Sequence, residues 1–304
     1  MKKKIMILCF VIFSLVAIIF GSLFKLYLDV GKIVEKVNQP IEKALDLRET
    51  EVNFKNKDAF SFLFLGIDTG DLDREEIGRS DAVMLGTVNP TEKKTTLISI
   101  PRDTRMTIVG KNVEDKINHA YAFGGAEMSI NSLEHYFQTP VDKYVSLNMK
   151  GLSDLVDAVD GISLQNSLAF TMSGYEFPLG LNQLNGKQTL AYVRMRYDDP
   201  NHDYGRQERQ RKVVSALVSE LIRPETILRY AKIMDIVQQN LQTNMTFDEI
   251  QTIVFNYKEC FTSQSTDQLK GEGAMIDNIS YQVVSGEERD RIATILNTQL
   301  GLNK

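Results

Sequence analysis

Three clusters of arginines and carboxylates carry the residue types that can do chemistry in this chain: Arg79-Ser80-Asp81, Pro101-Arg102-Asp103, and the run from Arg194 to Gln210. Guanidinium forks suit the oxygens of a polyanion, whereas aspartates among them repel the same ligand unless a cation mediates. The pattern therefore points to phosphate chemistry assisted by a divalent metal. In the last cluster, Arg194 and Arg196 send their guanidiniums the same way if the chain is extended. Arg206, Arg209 and Gln210 share a helical face near a helix N-terminus, where exposed amides favour an anion. At an effective dielectric of about 20, one unit-charge contact at about 4 Å is worth roughly 4 kcal/mol before desolvation. The plainer alternative is an exposed charged helix held by ion pairs, but the arginines outnumber nearby helical acidic partners.

Asp68 follows a buried strand into a glycine-bearing turn, and Asp81 opens the next strand after Arg79, so both carboxylates can reach one metal at a sheet edge. Each also has an ordinary role available, Asp68 as a turn cap and Asp81 as a partner of Arg79. Arg102, at another strand end, is a ligand candidate for phosphate, or else the partner of Asp81 or Asp103 in a structural ion pair. Asp103 can orient that arginine or act as a base. Lys116 and Asn118 stand where they can touch phosphate or sugar, with surface solvation an equal reading. His119 reads as a local hydrogen-bonder.

Positioning these groups requires a sheet with helices. Phe60 to Gly66, Asp81 to Val88 and Thr95 to Ile100 read as strands, the last two joined by the turn Asn89-Pro90-Thr91-Glu92, so part of the sheet is antiparallel. A helix is expected after Gly124-Gly125, a strand over Lys143 to Leu147, a helix over Gly151 to Val159 and a short strand over Ile162 to Leu164. Asn185-Gly186 starts another helix, and Arg206 to Ile222 forms a longer one with Val213, Leu217 and Leu221 on its apolar face. Thr226 to Leu241, Phe247 to Tyr257 and Glu287 to Leu300 read as helices and Ser280 to Val284 as a strand, without a chemical motif among them. Residues 58–222 thus read as the catalytic domain and 223–304 as an addition packed on it.

Ahead of this lies Ile5 to Phe24, uncharged and about the length that crosses a bilayer core of ~30 Å as a helix. Lys2, Lys3 and Lys4 precede it, so residues 1–4 are expected in the cytoplasm and everything after Lys25 outside the cell membrane. A cleaved signal peptide fits less well, because the apolar run is long and no Ala-x-Ala site follows. Residues 25–57 read as a stalk with some helix, since Val30, Ile33, Val34 and Val37 recur at helical spacing before Pro40. The net charge of −5 over 304 residues argues against a nucleic-acid partner chosen by bulk charge. The two cysteines, Cys9 and Cys260, fall on either side of the membrane boundary and exclude an intrachain disulfide. The three histidines show no zinc spacing, so oxygen-bound magnesium or manganese fits better.

Taken together, Leu65-Gly66-Ile67-Asp68, Arg79-Ser80-Asp81, Ile98 through Asp103, Lys116-Ile117-Asn118, Arg194-Met195-Arg196 and Asp203-Tyr204-Gly205-Arg206 through Arg209-Gln210 resemble the LytR-CpsA-Psr family of cell-envelope phosphotransferases, over Phe60 to Ile222. The resemblance implies an α/β/α sandwich around a mixed central sheet. It further implies a reaction in which a polyprenyl pyrophosphate-linked glycopolymer, such as teichoic acid or capsular polysaccharide, is transferred to a peptidoglycan acceptor, the lipid tail lying in an apolar pocket. By the same resemblance Asp68 and Asp81 are the magnesium ligands. The resemblance also implies that Arg102, Arg194, Arg196, Arg206 and Gln210 surround the pyrophosphate and that Asp203 binds or orients Arg206. Arg79, Lys116 and Arg209 join them as further pyrophosphate-binding candidates from the residue clusters themselves, and Arg102 and Arg206 are the cationic catalytic candidates. The acceptor proton calls for an aspartate, with Asp103 and Asp203 both open. A Gly-Gly-Val turn common in the family is here Asp160-Gly161-Ile162, and Arg211 stands at a frequent glutamine. Two other readings use the same residues: a metal-dependent lipid pyrophosphatase, and a non-enzymatic lipid- or glycan-sensing module.

Overall fold

In the computed structural model, residues 25, 27–69 and 78–302 are described. The expected cytoplasmic tip 1–4 and membrane span 5–24 lie outside them; among the described residues no helix is long and apolar enough to cross a membrane. A helix, α1, runs over 27–37. The strands β1 (Phe60–Ile67), β2 (Ser80–Asn89), β3 (Lys94–Ile100), β4 (Arg105–Ile108) and β5 (Val113–Lys116) follow, then α2 (Ile117–Phe137), β6 (Lys143–Asn148) and α3 (Met149–Ala158). Next come β7 (Ile162–Asn166), β8 (Phe170–Met172), β9 (Tyr175–Phe177), β10 (Gly180–Leu184), α4 (Gly186–Arg194) and α5 (His202–Leu221). The last part contains α6 (Tyr230–Asn240), β11 (Leu241–Thr243), α7 (Phe247–Asn256), β12 (Gln264–Gln268), the hairpin β13 (Glu272–Ile276) and β14 (Ile279–Val283), and α8 (Gly286–Leu300).

Six strands form a central mixed sheet in the order β11-β6-β1-β2-β3-β12. β1, β2 and β3 are antiparallel, whereas β6 runs parallel to β1 and β12 parallel to β3. The middle strands are continuous apolar runs because both faces are covered. Leu63, Leu65, Val83, Leu85, Ile98 and Ile100 alternate onto one face against Ile130 and Leu133 of α2 and Ile292 and Leu296 of α8. Burying each such side chain contributes roughly 1.5–3 kcal/mol. On the other face Phe64, Ala82, Met84 and Leu97 meet α3, α5 and α6 through Leu152, Val213, Val214 and Ile236. Gly86 lets the Phe62 ring lie across β2, for a Cβ there would stand 2.5 Å from Phe62 Cζ.

Two features depart from expectation. The helix expected after Gly124-Gly125 begins seven residues earlier, at Ile117, and passes through the glycines with a kink; Gly125 has φ +66°, a left-handed conformation that favours glycine. The last eighty residues do not merely pack on a finished domain, since β11 and β12 are the two edge strands of the central sheet. The segment read as a stalk also lies on the domain. Val34 and Val37 are buried, Tyr27 stacks edge-on against Phe247 at 5.0 Å, and Arg48 makes two 2.7 Å bonds to Asp142. Asp142 in turn accepts from the backbone N–H and hydroxyl of Ser61, pinning the start of β1.

Glu134 on α2 is completely enclosed; its Oε1 accepts from the Val141 N–H at 2.7 Å and lies 3.1 Å from Lys43 Nζ, while Oε2 has no partner. Burial pushes this carboxyl above its ordinary value, against the pull of Val141 and Lys43. Because the folded chain holds that proton more tightly than the unfolded one, the carboxyl favours the fold below its unfolded value near ~4.3, and the contribution is lost as pH rises through the raised value. Glu134→Gln is expected to remove this dependence and to melt at or above the parent at pH 7 but not at pH 4. Thermal melts at the two pH values check it, and a variant that melts lower at both would make the Lys43 pairing the stronger effect.

Candidate functional site

The register that sets Val83 opposite Ile100 brings Asp81 beside Arg102 when carried two residues further along β2 and β3. The two pair at 2.7 Å between Asp81 Oδ2 and Arg102 Nη1. On the adjacent strand a bulge shifts the β1 register between Gly66 and Ile67, Ile67 pairs with Ser80, and Asp68 follows with its N–H bonded to the Arg79 carbonyl at 3.0 Å. Thus Asp68, Arg79, Asp81 and Arg102 leave neighbouring strands at one end of the sheet. Arg79 is exposed there. Asp103 lies with Oδ1 3.6 Å from Arg102 Nε, too far for a hydrogen bond.

α5 brings the second half. Arg206, only 7% exposed, pairs through Nη2 with Asp203 Oδ1 at 2.7 Å, and Arg196 Nε stands 3.6 Å from the same oxygen. Asp203 Oδ2 accepts from Gln207 at 3.0 Å. Burial pushes the Arg206 guanidinium below its ordinary value, Asp203 pulls it back, and Arg102 is near enough to lower it further. For Arg102 burial acts in the same direction but is outweighed by Asp81, with Asp103 and Asp203 adding, so its value is raised. Both remain cations. The Nε–H groups of Arg102 and Arg206 are buried without a hydrogen-bond partner. Two enclosed cationic donors left unpaired are costly unless a ligand takes them, and an oxyanion is the ligand they suit.

Gln210 lies one turn further along α5 and helps line a narrow apolar slot of about 30 Å³ between the sheet and α3, with Phe64, Met84, Leu152 and Val213. Gly66 and Ala82 form its floor; a Cβ on Gly66 would come within 2.9 Å of the Ala82 methyl. As for a metal, no group of three or more His, Cys, Asp or Glu side chains that could hold one stands together among the described residues. Magnesium does not need such a cage, since one or two carboxylates, substrate phosphates and water commonly complete its shell. Asp68 and Asp81 fit that donor set, Arg102 bonding only one oxygen of Asp81.

A family model, the LytR_cpsA_psr family, matches residues 25–298. This chain belongs to the LytR-CpsA-Psr family. It is 44% identical over 294 residues to the polyisoprenyl-teichoic acid–peptidoglycan teichoic acid transferase TagU of Enterococcus faecalis, covering 95% of this chain and 96% of that one. The crystal structure of Bacillus subtilis TagU superposes with a TM-score of 0.65 at 35% identity, covering 80% of this chain and 97% of that one. A structure of TagT bound to LI-WTA gives 0.72 at 27% identity, covering 86% and 100%.

Against that family pattern, several residues stand elsewhere than the sequence suggested. Arg209 is 4% exposed and its donors are taken by the protein: Nη1 by Asp199, Nη2 by the Met195 carbonyl and Nε by the Tyr192 carbonyl at 3.2 Å. Its guanidinium also lies 5.4 Å from the Phe170 ring centroid. It organises the loop that carries Arg196, and its donors are not available to the group formed by Arg102 and Arg206. Arg194 closes α4 and is helical, which breaks the expected extended alternation with Arg196; Met195 between them, at φ −59° and ψ 133°, buries its side chain. Lys116 holds its Nζ 5.7 Å above the Tyr281 ring, beside Arg105. Its neighbours brace the Arg102 loop from behind, with the Asn118 N–H donating to the Arg102 carbonyl at 3.2 Å and that of Ile117 to Thr104 at 3.0 Å.

Asp199 escaped the sequence reading, and Tyr204 and Gly205 entered it only as part of a motif, without a role of their own. Asp199 is buried, binds Arg209, and accepts from the Asn201 N–H at 2.7 Å. Gly205 makes room for it, since a Cβ there would lie 1.9 Å from Asp199 Oδ2. Tyr204 turns away from the site and fastens the C-terminal part: its hydroxyl donates to the Gly271 carbonyl at 3.1 Å and accepts from the Gly271 N–H and from Gln282. A glycine within the first turn of an otherwise ordinary helix was the available signal for Asp199.

Asp199→Ala leaves Arg209 buried and unpaired, which should cost about 3–5 kcal/mol. Asp199→Leu with Arg209→Met should recover much of that stability, because packed apolar groups replace buried ion pairs at little cost. Urea unfolding of the single and double variants measures both, and equal losses in the two would assign the cost to the loop backbone.

Proposed function

We propose that this chain transfers a glycopolymer, teichoic acid as the relatives' name implies, from a polyprenyl pyrophosphate carrier to peptidoglycan. The reading rests on one observation above all: Arg102 and Arg206 are interleaved with Asp81 and Asp203, and their buried Nε–H donors have no hydrogen-bond partner, while Ala82, next to Asp81, and Gln210, one turn from Arg206, line an apolar slot. In this reading the two guanidiniums take the pyrophosphate oxygens, with Arg79, Arg194 and Arg196 at the rim. Gln210, Val213 and Leu152 receive the first isoprenoid units as α5 gives way from the sheet. Asp68 and Asp81 hold a magnesium or manganese ion, which when bound offsets charge on the phosphate oxygens. The charge-free run Ile5 to Phe24 anchors the protein with its catalytic domain outside the cell, and the helices on both sheet faces form an α/β/α sandwich.

A hydroxyl of a muramyl sugar in the acceptor attacks the phosphorus nearest the glycan. Its oxygen bonds to phosphorus as the bridging P–O bond breaks, and polyprenyl phosphate departs with the bridging oxygen. Arg102 and Arg206 stabilise charge on the transferring and leaving oxygens. The acceptor proton passes to a carboxylate. Asp103 suits this better than Asp203, whose Oδ2 accepts from Gln207 and whose Oδ1 is buried against the Arg206 guanidinium, an ion pair without a hydrogen bond.

The full chain in detergent, given a synthetic polyprenyl pyrophosphate glycan, a peptidoglycan oligomer and magnesium, should form a glycan–peptidoglycan phosphodiester detectable by mass spectrometry. Arg102→Ala and Asp81→Ala should each lower its rate by about 100-fold or more. Release of free glycan by the unaltered chain would assign hydrolysis instead. Chelation of divalent ions should stop the reaction and added magnesium restore it; full activity in excess chelator would remove the metal from the scheme.

A further inference from the structure

At the end of the sheet opposite Asp68, α7 passes across the strands. Glu249 near its start pairs with Lys143, where β6 begins. Asn256 and Tyr257 at its end donate to the carbonyls of Phe54 and Asp58, just before β1, and Cys260 beyond it lies against the Asn89 carbonyl, at the end of β2. Ile253 and Tyr257 close the core there with Phe54 and Phe60. The apolar arc of the helix is wider than this contact uses. Phe247, Val254 and Phe255 recur at helical spacing on an adjoining face, where Val254 and Phe255 are 52% and 77% exposed.

Phe247 is also where the N-terminal part of the chain arrives. Its ring meets that of Tyr27, and a Cβ on Gly31 would lie 3.4 Å from it, so the first turns of α1 rest on the start of α7. Tyr27 and Leu28 are exposed beside it. The uncharged run Ile5 to Phe24 ends three residues before Tyr27, and three residues of chain span at most about 11 Å. Chain length alone therefore holds Tyr27, and Phe247 with it, close to the boundary of the layer that the run occupies. The headgroup layer on each side of a bilayer core is itself about 5–8 Å deep.

We infer that α7 lies against the membrane, with Val254, Phe255, Tyr27 and Leu28 entering the headgroup layer of the lipid surface in which the run is anchored. The inference rests on the anchor proposed above and adds to it an orientation of the domain. Phenylalanine and leucine on one face of a short helix suit the boundary between headgroups and acyl chains. Lys258, one turn beyond Phe255, and Lys55 and Lys57, which flank Phe54 and Asn56, are exposed and can keep their charges among lipid phosphates. The nearby carboxylates of Glu249 and Glu259 are already paired, with Lys143 and Lys93. With α7 on the membrane, the Asp68 end of the sheet faces outward, toward the acceptor.

The chain contains no tryptophan, so one introduced by substitution is the only indole that reports. Phe255→Trp, Phe24→Trp and, at the exposed position beside Arg196, Tyr197→Trp are each made in the full chain and reconstituted into vesicles of phosphatidylcholine and phosphatidylglycerol. Fluorescence is compared with and without bromine on the shallow part of the acyl chains. Phe24→Trp and Phe255→Trp should lose most of their emission to bromine and Tyr197→Trp none. Phe255→Trp emission that bromine leaves unchanged while Phe24→Trp is quenched would overturn the inference. A water-like spectrum would then leave the face solvated, and a blue-shifted one would give it to a second copy of the chain. Phe24→Trp unquenched would overturn the anchor, and the inference with it.

Discussion

The buried ion pair between Asp199 and Arg209 is the constraint on which the site geometry depends. Taking two charges out of water costs several kcal/mol per ion, which only close pairing and additional hydrogen bonds offset. Here the carbonyls of Tyr192 and Met195 and the backbone of Asn201 supply those bonds. The pair thereby ties the end of α4, the loop after it and the first turns of α5 into one unit. Arg196, Asp203 and Arg206 are carried on that unit, and their spacing relative to Arg102 is set before any ligand arrives. Such preorganisation matters for phosphoryl transfer, in which the protein contributes mainly placement and fixed charge.

The opposing half of the site has a simpler origin. Asp81 and Arg102 meet because antiparallel register leaves them side by side once the ladder has ended. Asp68 joins them because β1 is interrupted by a bulge one residue earlier. Neither strand can slip without moving its apolar residues to the wrong face, so the burial of Leu63, Leu85 and Ile98 also holds the carboxylates in position.

The strands β1, β2 and β3 were legible because burial on both faces writes itself as a largely apolar run, and the arginine clusters because arginines and aspartates recur together at strand ends and at the start of α5, with arginines in excess. Less visible were features set by distant contacts. β12, Gln-Ser-Thr-Asp-Gln, is polar because it is an exposed edge, and only its pairing with β3 makes it a strand. The start of α2 was hidden by Gly124-Gly125, which kink the helix without ending it. Arg209 resembles its neighbours in sequence; burial and Asp199 separate it from them. The apolar stripe of α1 was visible, but not that Tyr27 at its start would meet Phe247 of α7, more than two hundred residues away.

The two edges of the central sheet have a consequence for how the molecule comes into being. β11 and β12 come from the last quarter of the chain, so during synthesis the β6-β1-β2-β3 core has open backbone edges until residue 268 has emerged. Unpaired edges are templates for pairing with another chain. The nascent protein thus passes through an interval of vulnerability that its own C-terminus ends, and a premature stop beyond α5 would leave the arginine cluster encoded but the sheet beneath it unclosed.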